Sequence, residues 1–244
     1  MGENRFIERL GRLTGLSNAE KRALSILDGH ERIYRRGALI RPERDRVCEA
    51  YIINSGWLLS FLLLGDGNRQ ILRIHLPGDL VGLSCAAYAE SPESLVAVTD
   101  ARVTTIERSA LFDMMVSHPR LGALLFVIGQ AEQVAMHDRL ASLGRTSARA
   151  RIAALMIDTM TRLRIINDAT GNSFVFPLTQ EEIGDATGLT AVHVNRMIRS
   201  LVSEGLILRK ASLLTILNEK RLAEVANYVN RYPDIDVRAL PLSS

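Results

Sequence analysis

The spacing of apolar residues along this chain changes character twice. Between residues 5 and 28 it is helical: Ser17 and Glu20 have the spacing of a capping box, and Ala23, Leu24 and Leu27 supply an apolar edge. From about Ile33 it becomes strand-like. Runs rich in β-formers, IYRRGALI, EAYIINSGWLLSFLLL and RQILRIHLPGDLVGL, are punctuated by glycine, and SLVAVT and ARVTTIE continue the pattern. Asp66-Gly67 between two apolar runs marks a hairpin, and Pro77-Gly78-Asp79 marks a second turn. Short, turn-bounded strands of this kind predict an antiparallel β-barrel or jelly roll through about Glu107, followed by a short helix over Ser109 to Met115.

Helical spacing returns at Pro119, a residue well tolerated in the first turn of a helix. Leu121, Leu124, Leu125, Ile128 and Ala135 form an apolar stripe on a long helix, while Gln130, Glu132, Gln133 and Asp138 are polar. A long helix with one apolar face needs a partner, and the simplest is the same helix of a second copy. The alternative is that the stripe packs back on its own barrel. Gly144 marks a break, and another helix runs from Ala148 to Leu163 with Ile152, Leu155, Met156 and Met160 inward. A polar loop, NDATGNS, and a strand, FVF, lead into Pro177.

From Pro177 to Leu208 the chain reads PLTQEEIGDATGLTAVHVNRMIRSLVSEGLIL, which predicts two helices joined by a glycine turn. Thr179 and Glu182 make a capping box on the first, Ile183 and Ala186 give it an apolar side, and Gly188 suits a turn that demands positive φ. Thr190 caps the second, Val194, Met197, Ile198 and Leu201 form its buried stripe, and Gly205 ends it. The other face carries Val192, His193, Asn195, Arg196 and Arg199 instead of the Glu/Lys mixture of a solvated helix. Arginine bonds both acceptors of guanine, asparagine pairs with adenine, and a valine methyl touches the thymine methyl, so this face suits the DNA major groove. The plainer reading is a helical hairpin packed in a core. LILRKASLLTIL then predicts a β-hairpin turning around Lys210 to Ser212. It makes the unit a winged helix-turn-helix whose basic residues, Arg209 and Lys210, are placed to meet a phosphate backbone. A last helix spans Lys220 to Val229, and the tail RYPDIDVRALPLSS is expected to be loosely ordered.

Composition narrows the class. A length of 244 residues favours two domains, and 47% hydrophobic content is ample for their cores. The net charge of +3 is compatible with nucleic acid without arguing for it. Its distribution says more: between Arg139 and Arg164 six arginines stand against one acid, Asp158. The Arg145–Arg151 part of that run is either a phosphate-facing approach to DNA or the solvated side of a helix. The two cysteines, Cys48 and Cys85, lie far apart and form no metal-like pair, which fits a reducing compartment. With no signal-peptide run, and with Leu121 to Ile128 far too short to span a bilayer, a cytoplasmic protein with no membrane partner is expected. The barrel stretch has no Ser-His-Asp order, HExxH, P-loop or close carboxylate pair, so no enzymatic activity is expected. The alternatives are an enzyme with a winged-helix accessory domain, or a small-molecule-binding cupin-like protein. The latter would want clustered histidines where the strands hold only His75.

Three motifs, LPGDLVGL at 76–83, LGRTSARARIAAL at 143–155 and LTQEEIGDATGLTAVHVNRMIRSLVSEGLI at 178–207, resemble the Crp–Fnr family of bacterial transcription regulators. The TAVHVNR version is similar to members from alphaproteobacteria. The resemblance implies an α+β chain: a cyclic-nucleotide-binding-domain-like β-barrel or jelly roll over 1–117, a dimerisation helix over 118–143, a winged helix-turn-helix DNA-binding domain over 144–235, and a tail over 236–244. It also implies a homodimer on near-palindromic double-stranded DNA, with recognition helix 190–204 in the major groove and RNA polymerase as a further partner. By position, Arg196 falls on the family's guanine-reading arginine, whereas Ala191 and Val192 replace polar readers. His193 and Asn195 then become candidates to read bases or to contact phosphate. Gln180, Thr190, Arg199 and Lys210 complete the candidate DNA contacts.

No cofactor and no metal site are expected, and the effector is left undetermined. Members of the family that bind a cyclic nucleotide carry a glutamate after the glycine that follows the P-G-D turn, and later an arginine beside a serine. Here Gly82 is followed by Leu83 and Ser84, and the later position reads Pro92-Glu93-Ser94, an acid that would repel phosphate. Members with an iron–sulfur cluster use four cysteines, more than the two present. The histidines at 30, 75, 118, 137 and 193 are scattered and read as surface or core residues rather than haem ligands. Cys85 is a candidate redox switch, although a cysteine within LSCAAY reads first as a small buried residue.

Overall fold

A computed structural model describes residues 5–26, 30–46, 49–167, 169–238 and 240, which separate into two compact units. The first comprises the described residues within 1–62, 72–132 and 234–244, the second those within 63–71 and 133–233.

The strand-like spacing folds as eight strands: β1 (Glu31–Tyr34), β2 (Leu39–Arg41), β3 (Glu49–Ser55), β4 (Leu58–Leu63), β5 (Arg69–His75), β6 (Leu80–Val81), β7 (Ser94–Ala97) and β8 (Ala101–Glu107). They form two four-stranded sheets, ordered β1-β8-β3-β6 and β2-β7-β4-β5, in which β8 pairs antiparallel with both β1 and β3, and β7 with both β2 and β4. Tyr51, Ile53, Leu58, Leu95, Ala97 and Val103 fill the space between the sheets. The alternate residues of β3 and β8, Ala50, Ile52 and Ile106, face a second apolar layer, so β3 is buried on both sides. Both sequence-marked turns occur. Gly67 has φ 83° while the Asn68 N–H donates to Asp66 Oδ1 at 3.0 Å; Gly78 has φ 84° while the Leu76 N–H donates to Asp79 Oδ2 at 2.9 Å.

That second layer is helical: α1 (Arg5–Leu13), α2 (Asn18–Ile26), α3 (Arg108–Ser117) and the first part of α4 (Pro119–Arg145). The Ser17/Glu20 capping box closes at 2.7 and 3.2 Å, and Arg120 bonds the same carboxylate at 2.7 Å. Leu27 and Cys48 lie outside the described residues. One expectation for α4 is corrected. Leu121, Leu124 and Leu125, the stripe assigned to a second copy, are buried against Phe6, Leu24 and Ile106 of their own unit. An apolar layer was already at hand, so that stripe needs no partner. Another face of α4 stays bare: Phe126 is 66% and Leu140 70% exposed, and Val134 and Met136 are exposed too. Phe126, Gln133 and Leu140 recur every seven residues, with Gly129, Met136 and Leu143 three beyond each, the spacing of a coiled-coil seam.

The described part of the tail also differs from its expectation, while residues 239 and 241–244 lie outside the described residues. Val237 and Leu240 pack against the α1–α3 cluster, because burying two apolar side chains outweighs the entropy of a loose end.

In the second unit α4 passes through Gly144 to Arg145, and the break falls at Thr146-Ser147. Ser147 caps α5 (Ala148–Ile166) by accepting from the Ala150 N–H at 3.2 Å. Then come β9 (Ser173–Val175), α6 (Gln180–Thr187), α7 (Ala191–Ser203), β10 (Ile207–Lys210), β11 (Leu213–Ile216) and α8 (Glu219–Ala226). The three strands form one antiparallel sheet, ordered β10-β11-β9. Helix α8 stops before Val229 because Asn227 turns left-handed at φ 49°, a conformation asparagine tolerates.

Candidate nucleic-acid interface

The helix pair is held by the devices its sequence encodes. The Thr179 side chain accepts from the Glu182 N–H at 3.1 Å while Glu182 bonds back to the Thr179 N–H at 2.8 Å. Gly188 turns left-handed at φ 66°, and its N–H reaches the Gly184 carbonyl. The Leu189 N–H reaches the same carbonyl at 3.0 Å. Gly184 matters for another reason: a Cβ there would stand 2.4 Å from the Leu189 oxygen, so only glycine lets the turn fold this tightly. Thr190 caps α7 by accepting from the His193 N–H at 3.3 Å, and Gly205 closes beyond it at φ 67°.

Four arginines of the basic run make structural contacts: three of them touch this pair and the fourth reaches α8. Arg151 donates to the Thr187 carbonyl at 2.9 Å and Arg139 to the Ala186 carbonyl at 2.9 Å, placing two guanidiniums on the negative end of α6. Arg149 is ion-paired with Glu204, and Arg164 with Glu219 at 2.9 Å. Arg162 is buried. Of the six, Arg145 alone is exposed and, among the described residues, makes no side-chain hydrogen bond or ion pair. The start of β5 joins the brace, as Arg69 Nε donates to Asp185 Oδ2 at 2.7 Å and Gln70 Nε2 to the Asp185 carbonyl at 2.8 Å.

Helix α7 buries Val194, Ile198 and Leu201 and half-buries Met197. Val192, 81% exposed, and the exposed Arg196 and Arg199 follow at i, i+4 and i+7 on the opposite side. Neither arginine has a side-chain partner among the described residues, and none is found for the exposed Lys210 at the end of β10. The structure separates the remaining candidates. Asn195 Nδ2 donates to Gln180 Oε1 at 3.2 Å, which ties the two helices together and partly occupies both amides. Thr190 is exposed but serves as the cap, and His193 is half-buried. Arg209, expected beside Lys210 on the wing, turns inward. Its guanidinium lies 5.8 Å from the Phe176 ring and donates to the Leu178 carbonyl at 2.6 Å, and burial pushes its pKa down. The alternation of a strand explains this: neighbours on β10 point to opposite faces, so only one of the pair can meet solvent. Cys85 is 4% exposed within the first unit's helical cluster, the setting of a small apolar residue. Among the described residues no group of histidine, cysteine and carboxylate side chains could hold a metal, and no single helix is long and apolar enough to cross a membrane.

A winged helix-turn-helix with an unpartnered basic face, joined in one chain to a β-sandwich of cyclic-nucleotide-binding type, defines a DNA-binding transcription regulator. Residues 150–225 match the family model of the Crp-like helix-turn-helix domain, and residues 31–118 that of the cyclic nucleotide-binding domain. The nitrogen fixation regulation protein FixK of Azorhizobium caulinodans is 31% identical over 178 residues, covering 72% of this chain and 71% of that protein. The fumarate and nitrate reduction regulatory protein of Escherichia coli K12 is 25% identical over 193 residues, covering 79% and 77%. The structure of FixK2 from Bradyrhizobium japonicum superposes with a TM-score of 0.75 at 27% identity, covering 82% of this chain and 98% of that one. The chain belongs to the Crp–Fnr family of transcription regulators.

Proposed function

We propose that two copies of this chain bind a near-palindromic operator, each placing α7 in the major groove of one half-site, with Arg196 reading guanine. The observation that carries this is the bare row Val192, Arg196 and Arg199: an exposed valine and two cations without a protein partner suit base edges and phosphates better than solvent alone. Val192 and Arg196 face the bases, Arg199 and Lys210 meet phosphate, and Gln180, Thr190, His193 and Asn195 shape the entry to the groove. The coiled-coil spacing of Phe126, Met136 and Leu140 supports a dimer seam on α4, and half-sites about one helical turn apart follow from two-fold symmetry.

The protein acts by binding and not by catalysis, in the cytoplasm where DNA and RNA polymerase are found. Its resemblance to FixK supports placement beside the alphaproteobacterial members. Two cysteines in place of four, and the chemistry around Glu93, favour a member without an iron–sulfur cluster or a cyclic nucleotide. The test is Arg196→Ala. An operator selected from random DNA should lose roughly 1–3 kcal/mol, about 5- to 150-fold, of its preference over unrelated DNA. Unchanged discrimination between the two DNAs would refute the assignment of Arg196.

A further inference from the structure

The first unit holds a cavity of about 230 Å³ to which α1, the Leu80–Ser84 segment and α4 contribute. Phe6, Leu10, Leu125 and Ile128 give it an apolar wall. Most of its charged groups are engaged with one another, since Arg9 is ion-paired with Asp79 and Glu132, and Arg73 with Glu132. Two lining groups stand apart. Ser84 Oγ is buried and has no hydrogen-bond partner among the described residues. Glu93 is half-buried and bonded to Ser60, whose hydroxyl lies 3.1 Å from His75 Nε2. Burial pushes the Glu93 carboxyl up, and Ser60, Arg41 and Arg73 only partly oppose that shift.

The domain type implies a cyclic nucleotide, and the wall does not fit one. Three carboxylates line the cavity, Asp79, Glu93 and Glu132, against two guanidiniums already ion-paired with two of them. A phosphate would bring a full negative charge beside Glu93, while both guanidiniums that line the cavity are already ion-paired and the buried Arg41 behind it already acts on Glu93. Size supplies the other constraint. An apolar cavity of roughly 150 Å³ takes up benzene, so this one has room for a benzene-sized body and a short polar arm.

We propose that the cavity is a ligand site for a small uncharged molecule: an apolar body of about benzene size carrying a hydrogen-bond-donating head, of hydroxyl or amide type, directed at Glu93 and Ser84 Oγ. A carboxylate head is excluded by Glu93. An ammonium head is disfavoured because Arg41 and Arg73 act on the same carboxyl. The proposal rests on reading the first unit as the sensor of a regulator, but not on which DNA the second unit reads.

Calorimetric titration of the full chain with 3-phenylpropan-1-ol, 3-phenylpropanoate and 3-phenylpropylamine holds the apolar body fixed while the head changes, and cyclic AMP is titrated beside them as the nucleotide. The alcohol is expected to bind at least ten-fold tighter than the acid, the amine or cyclic AMP. Glu93→Gln should keep that binding because the amide oxygen still accepts, and Glu93→Leu should weaken it at least ten-fold. Glu93→Arg should transfer the preference to the acid, which covers the case in which the leucine variant does not fold. No binding of the alcohol, equal or tighter binding of the acid or of cyclic AMP, or no effect of position 93 overturns the proposal. Operator binding measured without any of these molecules is independent of it, so failure of the DNA-reading function would be seen separately.

Discussion

Gly184→Ala probes the helix-turn-helix at its tightest point. The new Cβ would meet the Leu189 carbonyl oxygen at 2.4 Å and its carbon at 3.4 Å, both of them backbone atoms. They cannot swing aside as a side chain would, because the Gly184 carbonyl holds the turn through the N–H groups of Gly188 and Leu189. Opening the turn gives up those two hydrogen bonds, at about 0.5–1.5 kcal/mol each. Keeping it closed forces overpacking strain of about 1–3 kcal/mol. Replacing a helical glycine by alanine returns about 1 kcal/mol. A clash this close puts the cost at the upper end of either range, so the net expectation is a loss of about 2 kcal/mol from the second unit. With a urea slope of about 1–3 kcal/mol per molar, the unfolding midpoint should fall by roughly 0.7–2 M. Operator affinity should fall with it, since the turn sets the angle of α7. Gly144→Ala is the control: a Cβ there meets nothing within 4 Å, so it should leave the midpoint unchanged or raise it slightly. A Gly184→Ala protein with the wild-type midpoint and wild-type operator affinity would refute the argument that this close approach fixes the recognition helix.

Two further outcomes follow from the first unit and from α4. Replacing Phe126 and Leu140 together by glutamate should halve the mass seen in sedimentation and weaken operator binding roughly 100-fold, the avidity a second half-site supplies; an unchanged mass counts against the seam. Burial alone raises the Glu20 carboxyl, but hydrogen bonds from Arg120 and Ser17 outweigh it and hold its pKa below the ordinary 4.5. A depressed folded pKa contributes stability that is present above the unfolded value and lost as pH falls through the folded one. Glu20→Gln should therefore cost about 1.5–3 kcal/mol at pH 7, with the gap closing below pH 4.5; a gap that stays constant down to pH 3 would show that the charge is not what matters.

The local devices were legible because each is written in a few adjacent residues. Thr179 with Glu182, Gly188, Thr190, Asp66-Gly67 and Pro77-Gly78-Asp79 all fold as their chemistry dictates, since capping and positive φ depend on neighbours close in the chain. What failed were judgements that depend on distant partners. Periodicity showed that α4 has an apolar stripe with Leu121, Leu124 and Leu125 on it, but could not show that α1, α2 and β8 already cover that stripe. The Phe126–Leu140 face is sparser, interrupted by Gln130, Gln133 and His137, and was hidden by the stronger signal beside it. The tail reads as loose from its terminal position, although Val237 and Leu240 find an apolar surface to cover.

Charge was the least legible property, and the reason bears on how this protein reads DNA. Six arginines over Arg139 to Arg164 look from sequence like a phosphate-binding strip. In the fold Arg139 and Arg151 stabilise the carbonyl end of α6, Arg149 and Arg164 neutralise glutamates, and Arg162 is buried. A guanidinium with five donors is the side chain best able to satisfy several carbonyls at once, so a dense arginine run beside a tight turn is as much a structural fastening as a ligand site. Among the described residues, exposed cations without a side-chain partner lie elsewhere, and the proposed interface draws on Arg196 and Arg199 of α7, Lys210 of the wing and Arg145 at the end of α4. If those four are the cations that meet phosphate, the proposed interface has a small sequence-independent attraction, and a larger share of selectivity falls on base contacts and on the pairing of two half-sites. That places the weight on Arg196 and on the bare valine beside it, where this chain departs most from the polar readers its family resemblance implies.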